Sequence, residues 1–282
     1  MQNIIQYIKH TLAEYYPEPE IKAMIRILLC DVFRLSLLDI YTGKDIKLSE
    51  KQLEDLDCIL ERLKKQEPLQ YITGHAEFYG LDFEVNENVL IPRPETTELV
   101  ELLLKDNAHA DAKPLSILDI GTGSGCIAIA LSLNLPGMKE ITAWDVSSEA
   151  LTVASGNAER LGAKVRFEQK DILEFIPDGE HFDIIVSNPP YITTDEKKDM
   201  DANVLDWEPG LALFVPNENP LLFYEMIARL GLRMLNPGGT VYFEINRMFG
   251  IEVKTMMEEL GYRNVEVMKD LSGNDRMIKA LL

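Results

Sequence analysis

Leu118-Asp119-Ile120-Gly121-Thr122-Gly123-Ser124-Gly125 sets a glycine-rich turn between an apolar strand and a helix, and the architecture extends from that turn in both directions. The apolar run Ser116–Ile120 has the length of a buried strand, and helical spacing runs from Ser124 to Asn134. Glycines between them let the backbone turn sharply and let a ligand approach where side chains would obstruct it. The spacing is G-x-G-x-G with Cys126 following, so the G-x-G-x-x-G dinucleotide fingerprint is not met. Taken alone, the loop is either a nucleotide cradle or simply a tight turn.

Downstream, strands and amphipathic helices alternate. Strands are expected at Glu140–Trp144, Lys164–Gln169, Phe182–Ser187, Thr240–Ile245, Tyr262–Lys269 and Arg276–Leu281, with helices at Ser148–Leu161, Pro220–Leu235 and Phe249–Leu260. Such alternation implies a mostly parallel sheet of seven strands covered by helices, with the last two strands as an antiparallel edge. Upstream, apolar residues recur at helical spacing from Ile4 to Phe33, and Ser49 with Gln52 forms a capping box before a helix from Glu50 to Lys65. The expected organisation is a small helical bundle over 1–68, a β-hairpin linker over 69–94 and an α/β domain over 95–282. In the linker, Ile91-Pro92-Arg93-Pro94 is stiff and extended, and a helix follows from about Glu95 to Leu104.

The composition is that of a folded globular protein: 282 residues, 46% hydrophobic and 27% charged, which excludes disorder and coiled coil as the main architecture. No apolar run approaches the roughly 18 residues that span a bilayer, and the amino end lacks a signal-peptide core. A cytoplasmic location without membrane attachment is expected. Three scattered cysteines, Cys30, Cys58 and Cys126, make neither a disulfide framework nor a C-x-x-C pair, and the four histidines have no ligand spacing, so no metal is expected. Net charge is −19, and no Lys/Arg cluster is larger than a pair. Phosphate neutralisation dominates nucleic-acid affinity, so direct nucleic-acid binding is not expected.

Asp145 ends the second strand, twenty residues after Gly125, where a carboxylate can accept from both hydroxyls of a ribose. A solvated end-of-strand acid would explain Asp145 but not the glycine loop before it. Asp171 is placed to accept from an adenine amino group, with Ile172 walling the ring, and Asp119 to brace the loop by accepting its N–H groups.

After the fourth strand comes Asn188-Pro189-Pro190-Tyr191. The Asn188 carboxamide oxygen and the Pro189 carbonyl are two acceptors on a segment that loses little entropy on ordering. They suit a planar NH₂ group. Its lone pair is delocalised, and holding both hydrogens favours pyramidal nitrogen, whose pair can point at an electrophilic carbon. Tyr191 offers a face to stack on that group. A bare Pro-Pro turn at a strand end is the alternative.

Together, a G-x-G-x-G loop, Asp145 and N-P-P-Y on successive strand ends resemble the amino-group class of S-adenosylmethionine-dependent methyltransferases. Within that class the motif is shared by enzymes acting on adenine in DNA, guanine in ribosomal RNA and glutamine in protein. Other segments narrow the choice: Glu67-Pro68-Leu69-Gln70-Tyr71-Ile72-Thr73-Gly74, Phe78-Tyr79-Gly80, Ile91-Pro92-Arg93-Pro94-Glu95-Thr96, Glu208-Pro209-Gly210-Leu211-Ala212-Leu213 and Ser272-Gly273-Asn274-Asp275-Arg276. They resemble the release-factor glutamine methyltransferases of the HemK/PrmC family, from about residue 20 to the end. The resemblance implies a helical amino-terminal domain that grips the release factor, a hairpin linker and a class I, Rossmann-like methyltransferase domain.

It further implies methyl transfer from S-adenosyl-L-methionine to the glutamine of the Gly-Gly-Gln loop in peptide chain release factors, leaving S-adenosyl-L-homocysteine. The adenosylmethionine site then maps onto Gly121, Thr122, Gly123, Ser124, Gly125, Asp145, Asp171, Ile172 and Asn188, and the glutamine site onto Asn188, Pro189, Pro190 and Tyr191, of which Asn188, Pro189 and Tyr191 are catalytic. Arg93 either lines the substrate crevice or makes a structural ion pair. Two residues depart from the family pattern: Ile172, where relatives often carry an aromatic, and Asn246, where many carry glycine after Glu244-Ile245. Glu244 is assigned no role. A monomer is the expected state. A nucleic-acid N-methyltransferase and an inactive adenosylmethionine-binding scaffold are the competing readings; the acidic helical region counts against the first and the complete acceptor motif against the second.

Overall fold

The computed structural model describes residues 4–36, 38, 47–108, 114–177 and 179–282. The chain forms two compact units, one of residues 1–74 with 201–207, the other of residues 75–200 with 208–282.

In the helical unit, α1 (Ile4–Leu12), α2 (Glu18–Ile27) with a π-helical turn at Leu28–Val32, α3 (Glu50–Leu63) and α4 (Leu69–Thr73) supply the core. Ile8, Leu12, Leu28, Leu29, Leu56 and Leu63 are fully buried there. Ser49 and Gln52 make the expected reciprocal capping box, which satisfies two donors at the start of α3. Tyr16 donates to the Leu63 carbonyl at 2.7 Å, and Arg62 pairs through two nitrogens with buried Glu67. Leu69–Thr73 is helical rather than the start of the hairpin, because Gly74, at φ +77°, caps that turn before an extended segment can begin.

In the larger unit, β1 (His75–Phe78) and β2 (Leu81–Glu84) form a hairpin, and α5 (Pro94–Asp106) begins at a proline after extended Arg93. The sheet is built from β3 (Leu115–Ile120), β4 (Lys139–Asp145), β5 (Arg166–Gln169) and β6 (Phe182–Ser187), with helices α6 (Cys126–Asn134) and α7 (Ser148–Leu161). Two short strands, β7 (Ile192–Thr193) and β8 (Phe214–Val215), pair in parallel; between them in the sequence come the short helices α8 (Ala202–Leu205), which belongs to the helical unit, and α9 (Gly210–Leu213). Then follow α10 (Leu222–Met234), β9 (Leu235–Glu244), α11 (Gly250–Glu259), β10 (Arg263–Lys269) and β11 (Asp275–Leu281).

Strand order is β10-β11-β9-β6-β3-β4-β5. Six strands point the same way, five of them joined by parallel pairing, and β11 runs antiparallel to both neighbours, as the sequence implies. Helices cover both faces, so Ile117–Ile120 and Ile184–Ser187 are buried without alternation. Two boundaries differ from expectation for backbone reasons. Gly125 takes φ +82°, a left-handed conformation that cannot be helical, so α6 starts at Cys126. β9 starts at Leu235 rather than Thr240 because the register shift between Phe182/Leu235 and Ile184/Thr240 absorbs Pro237-Gly238-Gly239 as a bulge.

Gly231, inside α10, leaves room for the Tyr262 hydroxyl, which donates to the Ala228 carbonyl at 2.7 Å. A Cβ at 231 would collide with that oxygen. Gly231→Ala should therefore cost roughly 2–3 kcal/mol by overpacking and loss of a buried hydrogen bond. Denaturant unfolding measures this, and a change below about 0.5 kcal/mol would contradict the packing account.

Candidate active site

The site begins with strand register. Ile120 pairs with Trp144 on one side and Ser187 on the other, so β3, β4 and β6 stop at one level of the sheet. The residues that follow, Gly121, Asp145 and Asn188, are neighbours there. β3 also marks the switch in strand order, where the connections to β4 and from β6 diverge and open a crevice. The Ser187 hydroxyl donates to the Ile120 carbonyl at 2.6 Å and locks the two strand ends.

A cavity of about 240 Å³ occupies this crevice. Its lining includes Gly121, Gly123, Asp145, Asp171, Ile172, Asn188, Pro189 and Pro190, so both halves of the expected site meet in one space. Thr122, Ser124, Gly125, Tyr191 and Arg93 are not in the lining.

The glycines of the loop divide by role. Gly121 (φ +74°) and Gly123 (φ +54°) would meet nothing within 4 Å if given a Cβ, which is the open cradle a ligand needs. At Gly125 a Cβ would stand 2.9 Å from Ile129 Cδ1 and 3.2 Å from Ala154 Cβ, so that glycine serves the packing of α6 on α7. Thr122 donates from its hydroxyl to Asp119 Oδ2 at 2.7 Å. Asp119 thus braces the loop mainly through a side chain rather than through the loop's N–H groups. Burial pushes its carboxyl up to about 7, against the Thr122 hydroxyl and the Ala128 N–H that pull it down. Asn157, fully buried, completes the brace: its amide donates to Ser124 O at 3.1 Å and to Glu84 O at 2.9 Å, and its oxygen accepts from Glu84 N at 2.7 Å.

Asp145 accepts from Gly123 N–H at 2.9 Å and Ser147 N–H at 3.0 Å, one at each oxygen. Burial raises its pKa while these backbone donors lower it. Each oxygen keeps further acceptor capacity toward the cavity. Asp171 is turned by accepting from Leu173 N–H at 2.9 Å, and Ile172 packs against the main core. On β4, Trp144 is fully buried, edge-on to Phe175 at 4.9 Å, with Lys170 Nζ 4.5 Å from its ring centre.

At the other end, Asn188 Nδ2 donates to Thr96 Oγ1 at 3.2 Å. Among the described residues neither Asn188 Oδ1 nor the Pro189 carbonyl accepts a hydrogen bond. Tyr191 does not present its face to the cavity. Its ring packs on the core, and its hydroxyl donates to Glu244 Oε1 at 3.0 Å in a buried setting that raises the phenol well above its usual range. Arg93 is committed to an ion pair with Glu208, whose carboxylate also accepts Ile91 N–H at 3.2 Å. That is the structural alternative for this arginine.

The sequence reading assigned no part in the site to Thr96 and Glu244, which contact Asn188 and Tyr191, or to Asn246, whose amide donates to the Tyr191 carbonyl at 3.1 Å and to Glu196. It also missed the wall built from Val89, Leu90, Leu211 and Phe223. The only available signal was Glu244 itself, an acid on an otherwise apolar strand. Burial pushes the Cys126 thiol up to about 12, away from the range of an activated thiolate. Among the described residues no group of three or more His, Cys, Asp or Glu could hold a metal ion.

Fold and site together define a class I methyltransferase. The "Methyltransferase small domain" model matches residues 96–205 and the "PrmC N-terminal domain" model residues 3–74. A curated release factor glutamine methyltransferase of Bacteroides thetaiotaomicron is 53% identical over 99% of both chains, and one of Flavobacterium psychrophilum is 47% identical over 95% of this chain and 94% of its own. A methyltransferase from Pyrococcus furiosus shares the fold with a TM-score of 0.53 at 22% identity, over 72% of this chain and 90% of that one. The chain belongs to the release factor glutamine methyltransferase family.

Asp119 generates a pH dependence. Its folded pKa of about 7 exceeds the ordinary 3.8, so between those values the folded state holds a proton the unfolded state has lost. Stability from this group is present at low pH and declines as pH rises through the window. The melting temperature of the wild type, relative to Asp119→Asn, should fall between about pH 5 and about pH 7.5. A constant difference in calorimetry across that range would contradict the burial argument.

Proposed function

We propose that this protein transfers the methyl group of S-adenosylmethionine to the side-chain N5 of the glutamine in the Gly-Gly-Gln loop of peptide chain release factors. The observation that carries the reading is the pair of uncommitted acceptors, Asn188 Oδ1 and the Pro189 carbonyl, lining the same cavity as Asp145 and the open glycines. The release factor as substrate rests on family membership, and such a substrate places the enzyme in the cytoplasm. Contact with the release factor is assigned to the helical unit, matched by the PrmC N-terminal domain.

The residues fit the cofactor. Gly121 and Gly123 leave the space a Cβ would fill, Asp145 keeps acceptor capacity for ribose hydroxyls, and Asp171 with Ile172 forms the far wall for adenine. Ile172 would contact the ring by dispersion where an aromatic would stack. Bound there, S-adenosylmethionine would supply an electrophilic methyl group to the amide nitrogen, with the thioether S-adenosylhomocysteine as leaving group and the displaced N–H proton passing to water.

The protein's own work is positional. Asn188 Oδ1 and Pro189 O accept the two N–H hydrogens of the incoming carboxamide, which draws its nitrogen toward pyramidal geometry and frees the lone pair from the carbonyl. Two rigid prolines hold these acceptors without an ordering cost at the moment of reaction. The apolar wall around Leu90 and Phe223 keeps bulk water from competing for the same hydrogens.

Mass spectrometry of a release factor incubated with enzyme and S-adenosylmethionine should find one methyl on the Gly-Gly-Gln glutamine. Methyl transfer to DNA or RNA but not to the release factor would overturn the reading. Asn188→Ala should lower turnover at least about a hundredfold, since one positioned transition-state contact is worth about 3 kcal/mol, while cofactor affinity stays within a fewfold. Near-normal turnover contradicts the acceptor role. Asp145→Ala should do the reverse, weakening adenosylmethionine binding about tenfold or more in calorimetric titration, because a charge-assisted hydrogen bond is lost. Unchanged affinity would remove Asp145 from the ribose site.

A further inference from the structure

Thr96 and Glu244 belong to neither the glycine loop nor the N-P-P-Y motif, yet both are buried against it. Thr96 is 2% exposed and Glu244 1%. Thr96 Oγ1 donates to Glu244 Oε2 at 2.6 Å, Tyr191 Oη to Glu244 Oε1 at 3.0 Å, and Asn188 Nδ2 to Thr96 Oγ1 at 3.2 Å. The first residue lies at the start of α5, the second at the end of β9, and the motif follows β6, so a chain of hydrogen bonds runs from β9 through α5 to the Asn188 side chain.

Proton counting fixes the direction of this chain. A carboxylate only accepts, so each of its oxygens claims one hydroxyl hydrogen, from Thr96 and from Tyr191. Thr96 has a single hydroxyl hydrogen and has given it to Glu244. Toward Asn188 it can only accept. The Asn188 carboxamide must therefore turn its NH₂ inward to Thr96, leaving Oδ1 as the group that faces the substrate. Were the amide flipped, its NH₂ would meet the NH₂ of the substrate and no hydrogen bond could form between them.

We propose that Thr96 and Glu244 are positioning residues that set the amide orientation of Asn188 and thereby make it an acceptor for the substrate carboxamide. The inference rests on the acceptor role of Asn188 given above and extends it to the residues that impose that role. Burial pushes the Glu244 carboxyl upward, and the hydroxyls of Thr96 and Tyr191 and the Arg276 guanidinium draw it back. Arg276 sits part-buried, pairing with Asp270 Oδ2 at 3.3 Å and donating to the Ile245 carbonyl at 3.4 Å. Glu244 also holds Tyr191, and Asn246 holds the Tyr191 carbonyl, so the trailing end of the motif is fixed by the same strand end.

The test uses the full-length enzyme, with rates measured on whichever acceptor the wild type methylates, so that a wrong substrate does not mask the result. Thr96→Val removes the hydroxyl at nearly constant volume and should lower kcat about tenfold or more, with adenosylmethionine affinity within about twofold; Thr96→Ser should restore kcat to within about threefold of wild type. Glu244→Met, which offers the Thr96 hydroxyl no acceptor at similar volume and so frees its hydrogen, should behave like Thr96→Val. In an Asn188→Ala background Thr96→Val should cost no more than about twofold further, because it acts only through Asn188. A readout independent of turnover is the Asn188 side-chain amide in ¹⁵N NMR, assigned by its absence in Asn188→Ala: one hydrogen should exchange slowly in wild type and Thr96→Ser and rapidly in Thr96→Val. Full turnover in Thr96→Val, an undiminished loss in the Asn188→Ala background, or unchanged exchange would each overturn the proposal. Failure of the wild type to methylate a release factor would instead count against the substrate reading alone.

Discussion

The site depends on one geometric constraint, the common level at which β3, β4 and β6 end. Parallel pairing of Ile120 with Trp144 and with Ser187 sets that level, and the Ser187 hydroxyl bonded to the Ile120 carbonyl holds it. A one-residue slip in either pair would turn every side chain on that strand to the opposite face. Asp145 or Asn188 would then leave the crevice while the rest of the domain stayed folded. The apolar runs that bury both faces of these strands stabilise the sheet, and the polar residues at the strand ends, Asp119, Asp145 and Ser187 with their bonds to the glycine loop and to Ile120, mark the register there.

On that frame the protein spends polar groups sparingly. Asp119, Asn157, Thr96 and Glu244 are almost fully buried, and their hydrogen bonds reach Thr122, Ser124, Asn188 and Tyr191, the residues of the glycine loop and of the N-P-P-Y segment. Burying such groups without partners would be costly, and with partners they hold backbone and side-chain directions that apolar packing alone leaves free. The outcome is a site whose uncommitted acceptors are few. Transfer of a methyl group needs no metal and no strong base from the protein, so orientation of a poor nucleophile is the main contribution available to it.

Much of this was legible in the sequence. The α/β alternation, the antiparallel edge and the capping box before α3 all follow from local patterns whose period or chemistry is intrinsic to the element. The placement of Asp145, Asp171 and Asn188 in one cavity followed from chain order and the topology rule. What stayed hidden was side-chain direction and long-range pairing. Nothing local distinguishes Gly125, which serves helix packing, from Gly121 and Gly123, which open the cradle. Tyr191 has the composition of a stacking platform, yet a buried carboxylate 53 positions away turns its hydroxyl inward. Arg93 had two readings until Glu208, 115 residues on, supplied its partner. Glu244 was visible as an acid in an apolar strand, but its partners lie on elements that only the folded sheet brings near.

The most direct measurement is a crystal structure of the enzyme with S-adenosylhomocysteine and a peptide carrying Gly-Gly-Gln. The glutamine carboxamide nitrogen should lie within hydrogen-bonding distance of both Asn188 Oδ1 and the Pro189 carbonyl, with the thioether of the product beyond it. A glutamine bound elsewhere, or an Asn188 that presents its NH₂ to the ligand, would contradict this arrangement.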